Sequence, residues 1–104
     1  MAKIGNHNRR KGFGYEHRFV SKRKAEGAKR VKRHYGSLGA TDVEWIDALG
    51  FKNEAQLKFS TVKLPKVSEK DRRRLRAYAN RKKKTKIWIV CKVSRGAEIW
   101  EALN

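Results

Sequence analysis

Apolar residues recur at helical spacing between Gly14 and about Glu26. Phe13, Phe19 and Val20 fall on one face, which also carries Glu16 and Arg23. This pattern predicts a first helix, with Gly27 as its natural stop. Glu16 lies on the apolar stripe, where a carboxylate is unfavourable unless a partner requires it. The competing interpretation is that Glu16 is a first-turn acid that favours the helix dipole.

The middle of the chain shows the period of two that is typical of strands. The stretch 28–35 is basic and extended or loop-like, and a loop of small residues then leads into Asp42. We predict a strand over Val43–Ala48, a turn over 49–53 and a second strand over Glu54–Ser60. In the second strand Ala55, Leu57 and Phe59 form an apolar side, and Glu54, Gln56 and Lys58 form a polar side. The pair predicts an antiparallel hairpin.

The last third of the chain predicts a second helix and two more strands. Ser68 followed by Asp71 is typical of a helix start, and Leu75, Tyr78 and Ala79 mark the buried side of that helix. The apolar run Ile87–Val93 predicts a strand covered on both faces, and Glu98–Trp100 a short final strand. We therefore predict a flexible basic arm over 1–12 and one α/β domain over 13–104, with a small central mixed β-sheet flanked by helices.

The composition indicates a polyanionic partner. The chain has 104 residues, with 28 lysines and arginines against 10 acids, which gives a net charge of +18. A hydrophobic fraction of 38% that includes three tryptophans excludes a purely disordered basic tail, and the length excludes a large multidomain enzyme. The single cysteine excludes an internal disulfide, and no segment reads as a signal peptide or membrane span. We expect an intracellular protein of the cytoplasm or nucleoid; a virus-encoded origin with action in the host cell stays open.

The acids are concentrated between two basic blocks. Residues 1–40 hold twelve lysines and arginines against two acids, and residues 66–86 hold eleven against two. Residues 41–65 hold four acids against three lysines. A metal-dependent phosphodiesterase needs carboxylates inside a positively charged groove, and this distribution is compatible with that arrangement.

One constellation points to specific chemistry. Asp42 stands behind a glycine-containing loop at the start of a strand, and Gln56 and Lys58 follow on the neighbouring strand, with Glu16 on the first helix. In this order of elements the chain resembles the PD-(D/E)xK nuclease superfamily, and within it the archaeal-type Holliday junction resolvases. The resemblance covers about residues 9–103. Glu16 matches the helix glutamate, Ser37 the loop serine, Asp42 the metal-binding aspartate, and Gln56 and Lys58 the two ends of the E-x-K motif.

The resemblance implies a restriction-endonuclease-like fold and a structure-selective DNA endonuclease that acts on four-way junctions as a homodimer. It further implies Mg²⁺, for which Mn²⁺ can substitute, held by Asp42, Gln56 and the main-chain carbonyl of Leu57. Lys58 would orient or activate the attacking water, and Glu16 would hold a water or a second ion.

Gln56 departs from the family, which usually has Glu at this position. An amide oxygen can ligate Mg²⁺, but the missing negative charge weakens the electrostatic attraction for the cation. Glu54 or Glu44, each two residues from a motif position, are the alternatives for supplying that charge.

Predicted DNA contacts follow the basic stretches of the chain. They are Arg9, Arg10, Lys11, Arg30, Arg33, Ser37, Arg72, Arg73 and Arg76. Tyr35 beside the glycine loop is a further candidate. His7, His17 and His34 lack zinc-site spacing and are interpreted as solvated or DNA-facing.

The remaining residues are predicted to have packing roles. Cys91 is predicted to be a buried structural thiol, and Trp45, Trp88 and Trp100 to pack in the core or in a dimer interface rather than stack on bases. The alternative function is a non-catalytic basic nucleic-acid-binding protein, either ribosomal or nucleoid-like, or a resolvase fold that binds junctions without cutting. Dependence on a divalent metal separates the two functions.

Overall fold

A five-stranded mixed sheet forms the centre of the fold, with one helix packed on each face. The structure is a computed structural model that describes residues 2–34 and 40–104, with side chains from Gly14 onward in these ranges. Its elements are α1 (Ala2–Ala25), β1 (Lys29–Arg33), β2 (Val43–Ile46), β3 (Lys52–Ser60), α2 (Glu69–Arg81), β4 (Thr85–Val93) and β5 (Ile99–Ala102). The predicted small single-domain α/β fold with a mixed sheet is confirmed.

The strands lie in the order of the chain, β1-β2-β3-β4-β5. The first three are antiparallel, and Val43 pairs with Ala55 in the predicted hairpin. Strands β3 and β4 are parallel because α2 carries the chain back across the sheet between them, and β5 then pairs antiparallel with β4.

The face covered by α1 carries an aromatic core. Phe19 is 1% exposed, and its ring centroid lies 5.5 Å from those of Trp45 and Trp100. Trp88 contacts Trp100 edge to face, at 5.3 Å. The three tryptophans therefore pack in or against this core, one of the two places predicted for them, and such ring pairs add to the stabilisation from apolar burial.

The face covered by α2 is smaller. Val67, Leu75 and Ile89 are buried together, and the half-buried free thiol of Cys91 packs against them. The Ser68 side chain accepts a hydrogen bond from the Asp71 amide at 3.2 Å, which confirms the predicted helix start. Ile89 and Val90 are both buried on opposite sides of β4, as a strand covered on both faces requires.

Several element boundaries differ from the sequence prediction: β2 ends at Ile46 rather than Ala48, β4 begins at Thr85 rather than Ile87, and β5 spans Ile99–Ala102 rather than Glu98–Trp100. Two further differences have a physical reason. Helix α1 begins at Ala2, so the backbone of residues 2–12 is helical where an arm without regular structure was predicted. Apolar periodicity records only which side of a helix is buried, and this stretch has no such period. Strand β3 begins at Lys52 rather than Glu54, because the Asp47 amide donates to the Phe51 carbonyl and closes a tighter turn.

Within the described residues, no helix is both long and apolar enough to cross a membrane.

Candidate active site

Asp42 lies one residue before β2, between β1 and β3, and is held by both neighbours. Its amide donates to the Ala55 carbonyl at 2.8 Å, and its carbonyl accepts from the His34 amide at 2.7 Å. Its side-chain Oδ2 accepts from the Leu57 amide, also at 2.7 Å. These three bonds hold the carboxylate against the middle of β3.

The Leu57 contact brings the Asp42 carboxylate to the backbone of Leu57. The amide and the carbonyl of one strand residue point toward the same neighbouring strand. Because the Leu57 amide reaches Asp42, the Leu57 carbonyl is also directed to the Asp42 side of β3. Gln56 and Lys58 flank Leu57 and are half-buried. Burial raises the pKa of Asp42, and the positive charge of Lys58 partly opposes that rise.

Glu16 approaches this group from α1. Arg33 on β1 donates to Glu16 Oε2 at 3.0 Å, and the Glu16 side chain is 24% exposed. Burial raises the pKa of Glu16, and the negative charge of Asp42 raises it further, against the opposing effect of Arg33. Since α1 begins at Ala2, the interpretation of Glu16 as a first-turn acid is wrong.

Asp42 itself is an unfavourable place for a negative charge. Burial raises the pKa of its carboxyl, although the Leu57 amide and the charges of Lys58 and His34 oppose the shift. Burial is the main cause of the raised pKa of both Asp42 and Glu16, and a cation bound beside them would favour their ionised forms.

The oxygens around Asp42 are of the kind that Mg²⁺ prefers. The Asp42 carboxyl and the Leu57 carbonyl lie on the same side of β3, Glu16 is close enough for the charge of Asp42 to raise its pKa, and Gln56 adjoins Leu57 in the strand. Among the described residues there is no group of three or more histidine, cysteine, aspartate or glutamate side chains arranged for a metal. A site here would therefore rely on neutral oxygens for part of its coordination.

A second polar cluster, which we call the Glu54 network, lies beside this site. Glu54 is 6% exposed, and its Oε1 accepts from the Thr41 hydroxyl at 2.6 Å and the Tyr78 hydroxyl at 2.7 Å. His34 bonds to the Thr41 carbonyl at 2.9 Å and to Glu44 Oε1 at 3.0 Å. The polar side of the predicted hairpin is thus partly buried beneath α2.

The Glu54 network corrects one prediction. His34 is not a solvated or DNA-facing histidine, since it is half-buried with both ring nitrogens bonded. Glu54 and Glu44 each have a bonded partner, and their contribution of charge near Gln56 stays a prediction. The alternation of residues in β3 places Glu54 on the α2 side, and Tyr78 on the buried side of α2 was the signal that could have paired them.

The predicted DNA contacts fall into three groups. Arg30, Arg73 and Arg76 are exposed, as a phosphate contact requires. Arg33 binds Glu16 and Arg72 binds Glu101, so both already have anionic partners within the chain. Ser37 and Tyr35 lie outside the described residues, as do the side chains of Arg9, Arg10, Lys11 and His7.

Arg33, a predicted DNA contact, binds Glu16 within the chain. Thr41, which no sequence pattern singles out, bonds to the buried Glu54.

In comparisons with known proteins, no family model, no curated protein and no solved structure matches the chain. The resemblance to the PD-(D/E)xK superfamily stays a prediction.

Proposed function

We propose that the protein is a divalent-metal-dependent DNA endonuclease that hydrolyses phosphodiester bonds in branched DNA such as four-way junctions. The observation that carries the proposal is the bond from the Leu57 amide to Asp42 Oδ2. It places a carboxylate of raised pKa next to the Leu57 carbonyl and within reach of the Lys58 charge. The net charge of +18 supports a polyanionic substrate.

In this proposal each residue has a separate task. Asp42, Gln56 and the Leu57 carbonyl would hold Mg²⁺ or Mn²⁺, which when bound would offset the charge that develops on the phosphate and lower the pKa of a water. Lys58 would orient the attacking water and stabilise the negative charge of the transition state. Glu16, positioned by Arg33, would accept a hydrogen bond from a water at the site. Exposed Arg73 and Arg76 on α2 would bind phosphates.

A homodimer is part of the proposal, because symmetric cutting of two strands at a four-way junction needs two copies of the site related by a two-fold axis. An intracellular location, in the cytoplasm or nucleoid, follows from the proposed substrate.

The decisive experiment compares Asp42→Asn with Asp71→Asn. Asp71 lies in the first turn of α2 and has no role in the proposed metal site, and its variant has the same chemical change. We expect Asp42→Asn to reduce cleavage of a labelled four-way junction in Mg²⁺ by about a thousandfold or more, and Asp71→Asn to leave it within about twofold. Junction affinity in EDTA should be nearly the same for both variants and the parent. An Asp42→Asn protein that cuts as fast as the parent would overturn the assignment.

A junction-binding protein that does not cut is the second candidate. The observation in its favour is the neutral Gln56 beside Asp42, which leaves the site one charge short of its family pattern. In that case the parent protein would bind the junction and would not cut it at any concentration of Mg²⁺ or Mn²⁺.

A further inference from the structure

A groove of about 870 Å³ opens at the end of the sheet where β3 and β4 begin. Lys52 and Thr85, the first residues of these strands, are paired there and line it. Asn53, the residue of β3 furthest along the strand that lines the groove, lies three residues before Gln56, about 10 Å away at ~3.3 Å per residue. None of the residues proposed for the candidate active site lines the groove.

The groove combines positive charge with aromatic surface. Lys52, Lys83, Lys84 and Lys86 line it together with Phe51 and Trp88. Phe51 is 64% exposed, so its ring is accessible to a ligand in the groove. The Lys86 Nζ lies 5.6 Å from the centroid of the Trp88 ring. Cations beside exposed rings are typical of surfaces that bind single-stranded nucleic acid.

The backbone at Phe51 is held by the turn that precedes it. Asp47 Oδ1 accepts from the amides of Leu49 and Phe51, both at 3.0 Å, and Gly50 adopts the left-handed conformation at φ 90°. Glycine takes this conformation without strain. The Asp47 carboxylate, which also lines the groove, thus faces the turn amides and the Asn53 side chain.

The floor of the groove is equally well ordered. Asn53 donates to Asp47 Oδ2 at 3.0 Å and accepts from the Trp88 indole at 2.9 Å. Asn104 donates to the Thr85 carbonyl at 2.8 Å and accepts from the Ile87 amide at 2.9 Å. Such a preformed surface loses little conformational entropy when it binds a ligand.

We propose that this groove binds unpaired nucleotides of a single strand, with Phe51 stacking on a base and Lys83 and Lys84 contacting phosphates. The inference shares with the proposed function only the premise that nucleic acid is the partner. It needs neither Asp42 nor a metal. An exposed ring with lysines around it favours this ligand over an acidic peptide, because every base offers a face for stacking and every linkage a phosphate.

The test measures binding in EDTA of a labelled single-stranded oligonucleotide of about 12 nucleotides, with a duplex of the same sequence for comparison. Phe51→Ala is compared with Leu49→Ala, since Leu49 is 83% exposed on the same turn and does not line the groove. We expect Phe51→Ala to weaken single-strand affinity by about fivefold to a hundredfold. Leu49→Ala should change it by about twofold or less, and neither variant should change duplex affinity by more than about twofold.

The charge contribution is tested with a paired substitution. Lys83→Ala with Lys84→Ala should reduce the salt dependence of single-strand binding, because each neutralised phosphate contributes a slope of about −0.7. The control is Lys24→Ala with Lys29→Ala, which removes the same charge from exposed positions outside the groove. A larger reduction of the slope than in the control supports the proposal.

Three results would overturn the inference. The first is equal effects of Phe51→Ala and Leu49→Ala, and the second is equal weakening of single-strand and duplex binding by Phe51→Ala. The third is conversion of a dimer to a monomer by Phe51→Ala in sedimentation, which would mean that a second copy of the chain covers the groove. Asp42→Asn should bind the single strand like the parent. Loss of cleavage in Asp42→Asn and loss of single-strand binding in Phe51→Ala are therefore separate results, and each proposal can fail without the other.

Discussion

Glu54 and Asp42 are two carboxylates on adjoining parts of the sheet, and their hydrogen-bond partners and burial differ. The Asp42 amide donates to the carbonyl of Ala55, the residue that follows Glu54. Glu54 is the more buried, and its Oε1 accepts two hydroxyl hydrogen bonds. Asp42 accepts one amide at Oδ2 and lies near a second carboxylate, that of Glu16, with a pKa raised by burial. The two hydroxyl donors make Glu54 the structural carboxylate of the pair, whereas the proposed function gives Asp42 the role of a metal ligand.

The largest expected effect is on stability, from Glu54→Leu. This change leaves the Thr41 and Tyr78 hydroxyls without their buried acceptor, and we expect the free energy of unfolding to fall by about 2–4 kcal/mol. Urea denaturation measures the loss. Glu54→Gln keeps an acceptor oxygen, so its free energy of unfolding should fall by less. If both variants unfold at the parent's urea concentration, Glu54 is not the structural carboxylate of the pair.

The next effect concerns the metal dependence of cleavage. Gln56→Glu restores the charge that the site lacks, and the Mg²⁺ concentration for half-maximal cleavage should fall by about tenfold, which corresponds to about 1.4 kcal/mol. Metal titrations of junction cleavage measure this Mg²⁺ concentration. Glu54→Gln and Glu44→Gln are the controls and should leave the metal requirement unchanged in the protein that remains folded. A higher Mg²⁺ requirement in either control variant would show that its glutamate contributes to the metal site.

A smaller effect is expected on the stability of Asp42→Asn without divalent metal. Because the pKa of Asp42 is raised in the folded state, ionisation of this carboxyl at neutral pH destabilises the fold. The variant should therefore have a higher Tm than the parent in EDTA at pH 7. The difference should shrink as the pH falls through the folded-state pKa and vanish below about 3.9, where the carboxyl is neutral in both states. A lower Tm at pH 7 would contradict the comparison with Glu54.

The smallest effect involves His34, which links the two carboxylate environments. Burial alone would lower the pKa of His34, but the bonds to Glu44 and to the Thr41 carbonyl raise it above its usual value. The stabilisation by its charged form is complete below about pH 6.5 and is lost as the pH rises through the raised pKa. It should amount to less than about 1 kcal/mol, since the pair is partly exposed.

Urea unfolding at pH 5.5 and pH 8.5 tests the stabilisation by charged His34. These values lie about one pH unit or more to either side of the usual histidine pKa. The drop in stability between the two should be larger for the parent than for His34→Gln. The exposed His17 supplies the control, and His17→Gln should match the parent. An equal drop for His34→Gln and the parent would show that His34 titrates without consequence for the fold.

Local patterns in the sequence predicted much of the fold. Alternation in Ala55, Leu57 and Phe59 predicted β3, and the Ser68 cap predicted the start of α2. The helical extension over residues 2–12 was missed because it carries no apolar period. For the site, spacing predicted that Asp42 would approach the Gln56–Lys58 segment of β3, and the Leu57 bond agrees with that placement.

The rest of the site depends on contacts between residues far apart in the chain. Glu54 and Tyr78 are separated by 24 positions and Arg33 and Glu16 by 17, so no local pattern reveals that they bond. Arginine on a basic stretch has the same sequence signature whether it binds a phosphate or an internal carboxylate. The distinction between the Glu54 network and the Asp42 site therefore required the three-dimensional packing.

The two margins of the sheet bear on how copies of the chain can associate. Strand β1 is composed of KRVKR, its register with β2 shifts between Lys29 and Lys32, and Arg30 has a positive φ of 52°. Charged side chains and an irregular register discourage another strand from adding to an open edge, and so protect against edge-to-edge aggregation. At the opposite margin β5 is regular and presents Ile99, which is 52% exposed. A continuous ten-stranded sheet across two copies would accordingly join β5 to β5, leaving β1 and the neighbouring Arg33–Glu16 pair facing outward.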